Sequence, residues 1–263
     1  MGQRRAARVC RAGLDALLAI TLAPRCAACA AVLSAPLDGP VCASCWSGVV
    51  PLIPPFCRTC GDPLPSWRVI STALEKCPRC RRGGYLFSAA RAAGNYEGTL
   101  RDILHAFKYD SRRSLARPLG IMLRTAGADL LADAHCAVPV PLHPWRRLRR
   151  GFNQAEVLAV QLGLPMTRAL WRRRATAPQT GLHAAARRQN VSGAFTLSPF
   201  GTGESRQIWL ADRVVVLVDD VRTTGATLNA CAAVLLEAGA REVRALTVAR
   251  AAPPAPRSSG VHQ

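Results

Sequence analysis

Aromatic side chains are scarce in this chain: Phe, Trp and Tyr make up 5% of its 263 residues. Proteins that hold single-stranded nucleic acid interleave rings with basic groups so that bases can stack. A groove lined throughout with such rings is excluded, although Trp145, Phe152 and Trp171 do sit among arginines. Acids are scarce too, 16 Asp and Glu against 35 Lys and Arg, for a net charge of +19. That balance turns the chain toward anionic partners: nucleic acid, phosphorylated substrates or a membrane surface. A GC-rich genome also enriches Arg and Ala, so charge by itself does not choose. No apolar run reaches the ~18–20 residues of a membrane-spanning helix, which excludes such a span. Residues 1–25 start basic and turn apolar at 14–22, the outline of an export signal. Asp15 interrupts that run, and no clean small-residue cleavage site follows. An N-terminal helix packed on the protein, and a cytoplasmic location, are expected.

Cysteine, by contrast, is plentiful. Eight of the eleven form CxxC pairs: Cys26/Cys29, Cys42/Cys45, Cys57/Cys60 and Cys77/Cys80. Without an export signal, such pairs favour metal over a disulfide framework. Two intervening residues let both thiolates reach one ion from a knuckle turn, and two knuckles complete a closed tetrahedral zinc site. Pairing consecutive knuckles gives one zinc on Cys26, Cys29, Cys42 and Cys45 and another on Cys57, Cys60, Cys77 and Cys80. A crossed pairing requires interleaved ribbons. Cys10, Cys136 and Cys231 lack this spacing, and Cys231 falls in an apolar helical stretch.

About half of the residues are hydrophobic, 49%, enough for one large or two smaller domains. Gly83 and Gly84 mark a boundary after the cysteine-rich segment. Beyond it, patterns alternate. Residues 85–96 read as a strand or strand pair, and 98–109 as a helix with Leu100, Ile103, Leu104 and Phe107 on one face. A helix follows at 115–126, a buried strand at 136–140, a helix at 154–162, a strand within 207–218, a helix at 226–238 and a strand at 242–249. Such alternation predicts a parallel α/β sheet. Residues 251–263 are rich in Pro and Ser and read as a disordered tail.

One stretch carries more information than any other. Val214-Val-Val-Leu-Val218 suits a strand covered on both faces and leads into Asp219 and Asp220. Val221 and Arg222 follow, then the turn Thr223-Thr224-Gly225 and a helix opening at Ala226 and Thr227. Gly225 permits a positive φ or a close backbone approach. The amides of such a turn and the helix dipole favour a phosphate, with threonine hydroxyls as further donors. The acids cannot bind phosphate, but they accept hydrogen bonds from sugar hydroxyls. The whole resembles the phosphoribosyl-pyrophosphate (PRPP) loop of type I phosphoribosyltransferases, in which the acid pair holds the ribose 2′ and 3′ hydroxyls.

Three further segments are candidates. Around Pro139-Val140-Pro141, a strand end leads to Arg146, Arg147, Arg149 and Arg150, then Gly151 and a helix start at Asn153. Guanidinium groups clustered beside a glycine suit a pyrophosphate, with Arg150 and Gly151 nearest the helix start. A polar stretch at 172–195 with Arg174, Thr176, Gln179, Arg187 and Asn190 suits a mobile flap. Lys108 ends a helix, where it is either solvated or functional.

Together the pieces resemble the ComF family of competence proteins, over roughly residues 26–249. Lys108-Tyr109, Arg150-Gly-Phe-Asn-Gln154, the set Thr176, Gln179, Arg187 and Asn190-Val191, and the acid-threonine loop match in order. Arg222 occupies a variable place in that loop, where it either adds to phosphate binding or faces solvent. After the N-terminal helix (1–25), the resemblance implies a four-cysteine double zinc ribbon (26–82) and a type I phosphoribosyltransferase-like domain (83–250). That domain is an α/β parallel sheet flanked by helices. It implies Mg²⁺ with PRPP beside two structural Zn²⁺, and a role in natural transformation with competence helicase and recombination proteins as partners. Two classes of function follow. One is a PRPP-dependent transferase. The other is a single-stranded-DNA-binding factor of DNA uptake that keeps the PRPP site for sensing or not at all.

Overall fold

The computed structural model describes residues 2–64, 75–109, 112–174, 193–199 and 209–251. Its helices are α1 (Gly2–Leu22), α2 (Ala43–Ser47), α3 (Pro78–Arg81), α4 (Gly98–Tyr109), α5 (Ala116–Ala126), α6 (Ala128–Leu131), α7 (Pro144–Arg150), α8 (Gln154–Val160) and α9 (Ala226–Glu237). Its strands are β1 (Ala89–Asn95), β2 (Cys136–Pro139), β3 (Leu170–Arg172), β4 (Phe195–Leu197), β5 (Val214–Arg222) and β6 (Glu242–Arg250). Four of the strands form a wholly parallel sheet in the order β1-β6-β5-β2. The parallel α/β sheet expected from the alternation is what forms.

β5 lies inside the sheet, which explains its unbroken Val/Leu run. Alternation along a strand sends successive side chains to opposite faces. Val216 and Val218 share one buried cluster with Leu158 of α8, Leu119 of α5 and Leu100, Ile103 and Phe107 of α4. Val215 and Leu217 meet Leu228, Cys231 and Leu235 of α9. Both faces are thus covered by helices, as a parallel sheet requires. On α4, the spacing i, i+3, i+4, i+7 buries Leu100, Ile103, Leu104 and Phe107 together.

Of the two readings of residues 85–96, the single strand, β1, is what forms. Three details differ from the sequence expectations. β5 runs on through the acids to Arg222, because its pairing with β6 continues as far as Arg222 opposite Arg250. The arginine-rich segment is a short helix, α7, opened by Pro144 and closed by Gly151 at φ 73°. A small antiparallel pair, β3-β4, sets Arg172 opposite Phe195, so the stretch proposed as a flap leaves and returns at one place. Within that stretch Thr176, Gln179, Arg187 and Asn190 lie outside the described residues, as do 252–263 of the tail.

α1 is held to the body chiefly by polar contacts. Asp15, the residue that breaks the apolar run, is buried and accepts from the Leu37 amide at 2.8 Å, and Arg11 pairs with Asp38 at 2.6 Å. Leu14, Leu17 and Ile20 are exposed. Among the described residues, no helix is long and apolar enough to cross a membrane.

Candidate functional site

The eight paired cysteines gather as two groups of four, in the consecutive pairing: Cys26, Cys29, Cys42, Cys45 and Cys57, Cys60, Cys77, Cys80. Sulfur separations are 3.8 Å for Cys26–Cys45 and Cys29–Cys42 and 3.7 Å for Cys60–Cys77. A tetrahedron with ~2.3 Å zinc–sulfur bonds has edges of about 3.8 Å, so the sulfurs fit that ion. Crowding also sets the thiols against one another. The Ser44 hydroxyl draws Cys42 down to about 6, while burial and then Cys42 push Cys45 up. In the second group the Cys60 thiol draws Cys57 down to about 4, and burial pushes Cys80 up to about 12. A dication resolves that conflict by holding all four as thiolates. Backbone amides help: the Cys42 amide donates to Cys26 and the Cys77 amide to Cys57, each at 3.3 Å.

The second candidate site lies at the C-terminal edge of the sheet, where open α/β sheets receive ligands. The acid pair is split by strand alternation. Asp220 shares the α4 face, where Lys108 meets it at 3.1 Å. Lys108 is nearly buried, and burial alone would lower its pKa; Asp220, then Tyr96 at 5.6 Å, hold it raised and charged. Asp219 shares the α9 face. Burial, then the neighbouring Asp220 charge, push it up to about 7, partly offset by its hydrogen bond from the Asp220 amide and by Lys108 and Arg172. Two neighbouring carboxylates, one of them paired with Lys108, are oxygen ligands of the kind a hard cation takes.

Past the acids, Thr223 and Thr224 are partly buried and Gly225 stands at φ 79° as the N-cap of α9. As a glycine, the N-cap residue has no side chain to cap that helix. Its first amides therefore include donors for an anion. One of them, of Ala226, is taken by the Thr224 hydroxyl at 3.3 Å. Thr227 lies in the first turn and Val221 just before the loop, both partly buried.

Across the edge, Asn153 caps α8, accepting from the Ala155 amide at 3.1 Å and donating to the Val140 carbonyl at 3.0 Å. This ties the residue after β2 to the start of α8, just beyond the arginine helix. Arg150 lies over the Tyr109 ring at 5.2 Å and donates to Gln154 at 3.2 Å, while Gln154 reaches back to the Lys108 carbonyl at 3.5 Å. Lys108, Arg150 and the acids are thus one neighbourhood. Gly151 accepts from Arg113 at 3.0 Å. Burial, then Arg150 beside it, lower Arg146, and burial, then Arg146, lower Arg172. Such crowded guanidinium groups are a place for polyphosphate.

Sequence reading missed Arg172, which is buried on β3 and acts on Asp219 through space. With β3 only three residues long, the sequence around it shows no period that could have marked it. Arg222 needs the opposite revision. It does not face solvent: its side chain is 2% exposed and pairs with Asp62 at 2.7 Å. Alternation explains this, because Arg222 follows Val216, Val218 and Asp220 on one face, and Arg250 beside it in the sheet meets the same Asp62 at 3.3 Å. Arg174 is exposed at the start of the candidate flap.

Fold and site together define a phosphoribosyltransferase-type domain behind two zinc ribbons. Family models agree: a double zinc ribbon domain matches residues 17–82, and a phosphoribosyl transferase domain matches 148–260. The chain is 32% identical over 237 residues to Competence protein F of Haemophilus influenzae, covering 86% of this chain and 97% of that one. It is 30% identical over 208 residues to the DNA utilization protein YhgH of Escherichia coli, covering 74% and 84%. It is 27% identical over 218 residues to Competence protein ComFC of Bacillus subtilis, covering 81% and 85%. The chain belongs to the competence protein F family.

Proposed function

We propose that this chain binds PRPP with Mg²⁺ at the edge between β5 and β2, and that it serves DNA uptake and use in natural transformation. The observation that carries the first part is the acid pair standing just before a threonine-glycine turn at a helix N-terminus whose N-cap is a glycine. Asp219 and Asp220 accept from the ribose 2′ and 3′ hydroxyls. The 223–227 turn takes the 5′-phosphate, with Thr223, Thr224 and Thr227 adding hydroxyls to the amides. Arg150, with Arg146 near it and the Gly151 backbone, faces the pyrophosphate. Lys108 supplies positive charge between the acids and that group. Val221 and Ala226 frame the turn, and the exposed Arg174 opens the flap. When bound, Mg²⁺ would supply charge neutralisation, and Asp219 and Asp220 are the carboxylates that would hold it. In a transfer, the bond from C1 to the pyrophosphate oxygen breaks with its electron pair leaving on pyrophosphate, and a nucleophile bonds to C1. Most of the acceleration then comes from the guanidinium groups that stabilise the departing charge. The names of the relatives, competence and DNA utilization proteins, support the second part.

Calorimetric titration of Mg–PRPP into the wild type and an Asp219→Asn/Asp220→Asn variant tests the site. Binding by the wild type that vanishes in the variant is expected. A wild type that does not bind overturns the reading.

One observation favours the second class of function. On α7, Trp145 is 74% exposed and Leu148 77%, between arginines. An exposed indole among guanidinium groups suits base stacking on single-stranded DNA. Trp145→Ala is then expected to weaken single-strand binding about tenfold without changing PRPP binding.

A further inference from the structure

The second ribbon reaches across to the turn that follows β5. Arg79, from α3 between Cys77 and Cys80, donates its Nη2 to the Thr224 carbonyl at 2.5 Å. Tyr85 donates its hydroxyl to the same carbonyl at 2.9 Å. The two donors support each other: the Arg79 guanidinium lies 5.2 Å from the Tyr85 ring centre, and that ring stacks on Phe87 at 4.5 Å. Tyr85 also packs against the cluster of Cys57, Cys60 and Cys80. One residue on, the Leu86 amide donates to the Asn229 side chain in α9 at 2.5 Å. At Gly225 a β-carbon would stand 2.8 Å from the Tyr85 ring, so glycine there serves the ring as well as the φ of 79°.

A trans peptide points its C=O and N–H in opposite directions. Two donors that fix the Thr224 carbonyl therefore also fix the Gly225 N–H, turned away from the ribbon. They do a second thing: a carbonyl left to rotate toward the anion would repel it, and here its lone pairs are engaged elsewhere.

We infer that Arg79 and Tyr85 are positioning residues, by which the second ribbon holds the 223–225 turn in the form that receives a 5′-phosphate. The inference rests on the PRPP reading above. It adds to that reading a role for the ribbon at the site and a residue pair that makes no contact with the ligand. Asp62, two residues beyond Cys60, reinforces the hold by pairing with Arg222 at the end of β5.

The test uses the full chain with its zinc, as wild type, Tyr85→Phe, Arg79→Ala and the double variant. Nitrogen-15 relaxation reads the backbone order of Thr224 and Gly225. The expected result is a fall from a rigid value of about 0.85 to below about 0.6 in the double variant, with the middle of α9 unchanged. Zinc content unchanged from wild type shows the ribbons intact, and Tyr85→Phe, which removes one oxygen, gives a smaller fall in the same sense. Calorimetry then compares ribose 5-phosphate with inorganic pyrophosphate. The double variant is expected to lose about tenfold in affinity for ribose 5-phosphate and none for pyrophosphate, as when the competent fraction of a site falls to a tenth. Unchanged order at the turn overturns the inference, and so does equal weakening of both ligands. A wild type that binds neither ligand overturns the PRPP reading, and the relaxation measurement alone then decides the inference.

Discussion

The ribbon around Cys26 and the ribbon around Cys57 bring four sulfurs together at the same spacing, yet they join the rest of the molecule by different chemistry. The first joins through apolar contact. Cys26, Leu33 and Val41 share a core with Leu100, Ile103 and Phe107 of α4, and Trp46 packs against it. The second joins through directed polar bonds: Asp62 to Arg222 and Arg250, Arg79 and Tyr85 to the Thr224 carbonyl. Apolar contact is non-directional and tolerates small shifts. Hydrogen bonds and ion pairs specify angle and distance. A metal knuckle is thus a common part that stabilises a core in one place and orients a backbone turn in another.

Removing each metal in turn gives the largest effect. Cys57→Ser with Cys60→Ser is expected to lower zinc to one per chain and to weaken PRPP by about tenfold or more, since the turn loses its orientation. Cys26→Ser with Cys29→Ser is expected to lower zinc equally while leaving PRPP affinity within about threefold, its cost falling on thermal stability. Elemental analysis, calorimetry and a melting curve read all three quantities. Equal losses of PRPP affinity in the two variants would erase the distinction between the ribbons.

Asp62→Asn sharpens the same contrast without touching a thiol. Burial alone would raise the Asp62 pKa, but Arg222, then Arg250, hold it below the usual carboxylate range. The substitution leaves two guanidinium groups, 2% and 12% exposed, without their counter-charge. Breaking one side of a buried pair costs about 3 kcal/mol or more. The sign of its pH dependence is fixed by the lowered pKa. Stability from Asp62 is complete above the unfolded value of about 4 and is lost as pH falls through the lower folded value. Urea unfolding at pH 7 and pH 3 measures both, and the gap between variant and wild type narrows at the lower pH.

Much of this molecule was legible before the structure because its chemistry is local. The CxxC spacing confines two ligands to one turn, and the run from Val214 to Thr227 holds strand, acids, turn and helix start in adjacent residues. The α4 stripe is equally local. What escaped is what long-range folding brings together. Asp62 lies 160 residues from Arg222 and Arg79 lies 145 from Thr224, so no window of sequence contains either pair. Arg222 misled for a related reason: next to a phosphate turn an arginine invites that reading, whereas strand alternation carries its side chain to the ribbon. Arg172 escaped because β3 is three residues long, too short to show a period. The boundary of β5 was misplaced because Asp is a poor strand former, and pairing with β6 overrides that preference.

A third prediction concerns the floor between the ribbons' two targets. Asp219 is pushed up to about 7 by burial, then by Asp220, with Lys108 and Arg172 opposing. None of these groups belongs to a ribbon. Sugar hydroxyls need the carboxylate, so PRPP affinity is expected to rise with pH through about 7, by at most about tenfold per unit. The midpoint is expected to be the same in Tyr85→Phe, even though the affinity there is lower; a moved midpoint would tie the acids to the ribbon as well. For the fold the sign is reversed. A raised carboxyl pKa means that stability falls as pH climbs from about 4 to about 7. Asp219→Asn removes that loss and is expected to raise the melting temperature at pH 8 while leaving it nearly unchanged at pH 4.

The smallest effect completes the pairing of the ribbons, because each carries one aspartate that faces arginine. Asp38 meets Arg11 of α1 at 2.6 Å, nearer than Asp62 meets Arg222, but the side chains are 66% and 54% exposed. Distance and exposure therefore make opposite forecasts. Water screens an exposed pair, and holding two side chains in one geometry costs entropy, so such pairs are worth about 0–1 kcal/mol. Asp38→Asn is accordingly expected to shift the urea midpoint barely, to lose what effect it has in 1 M salt, and to leave PRPP binding alone. Asp62→Asn should keep most of its larger effect at the same salt, because buried pairs are screened far less. A salt-resistant cost at Asp38 comparable with that at Asp62 would mean that α1 is fastened as firmly as the phosphate turn, and that contact distance, more than burial, ranks the two ribbons' links.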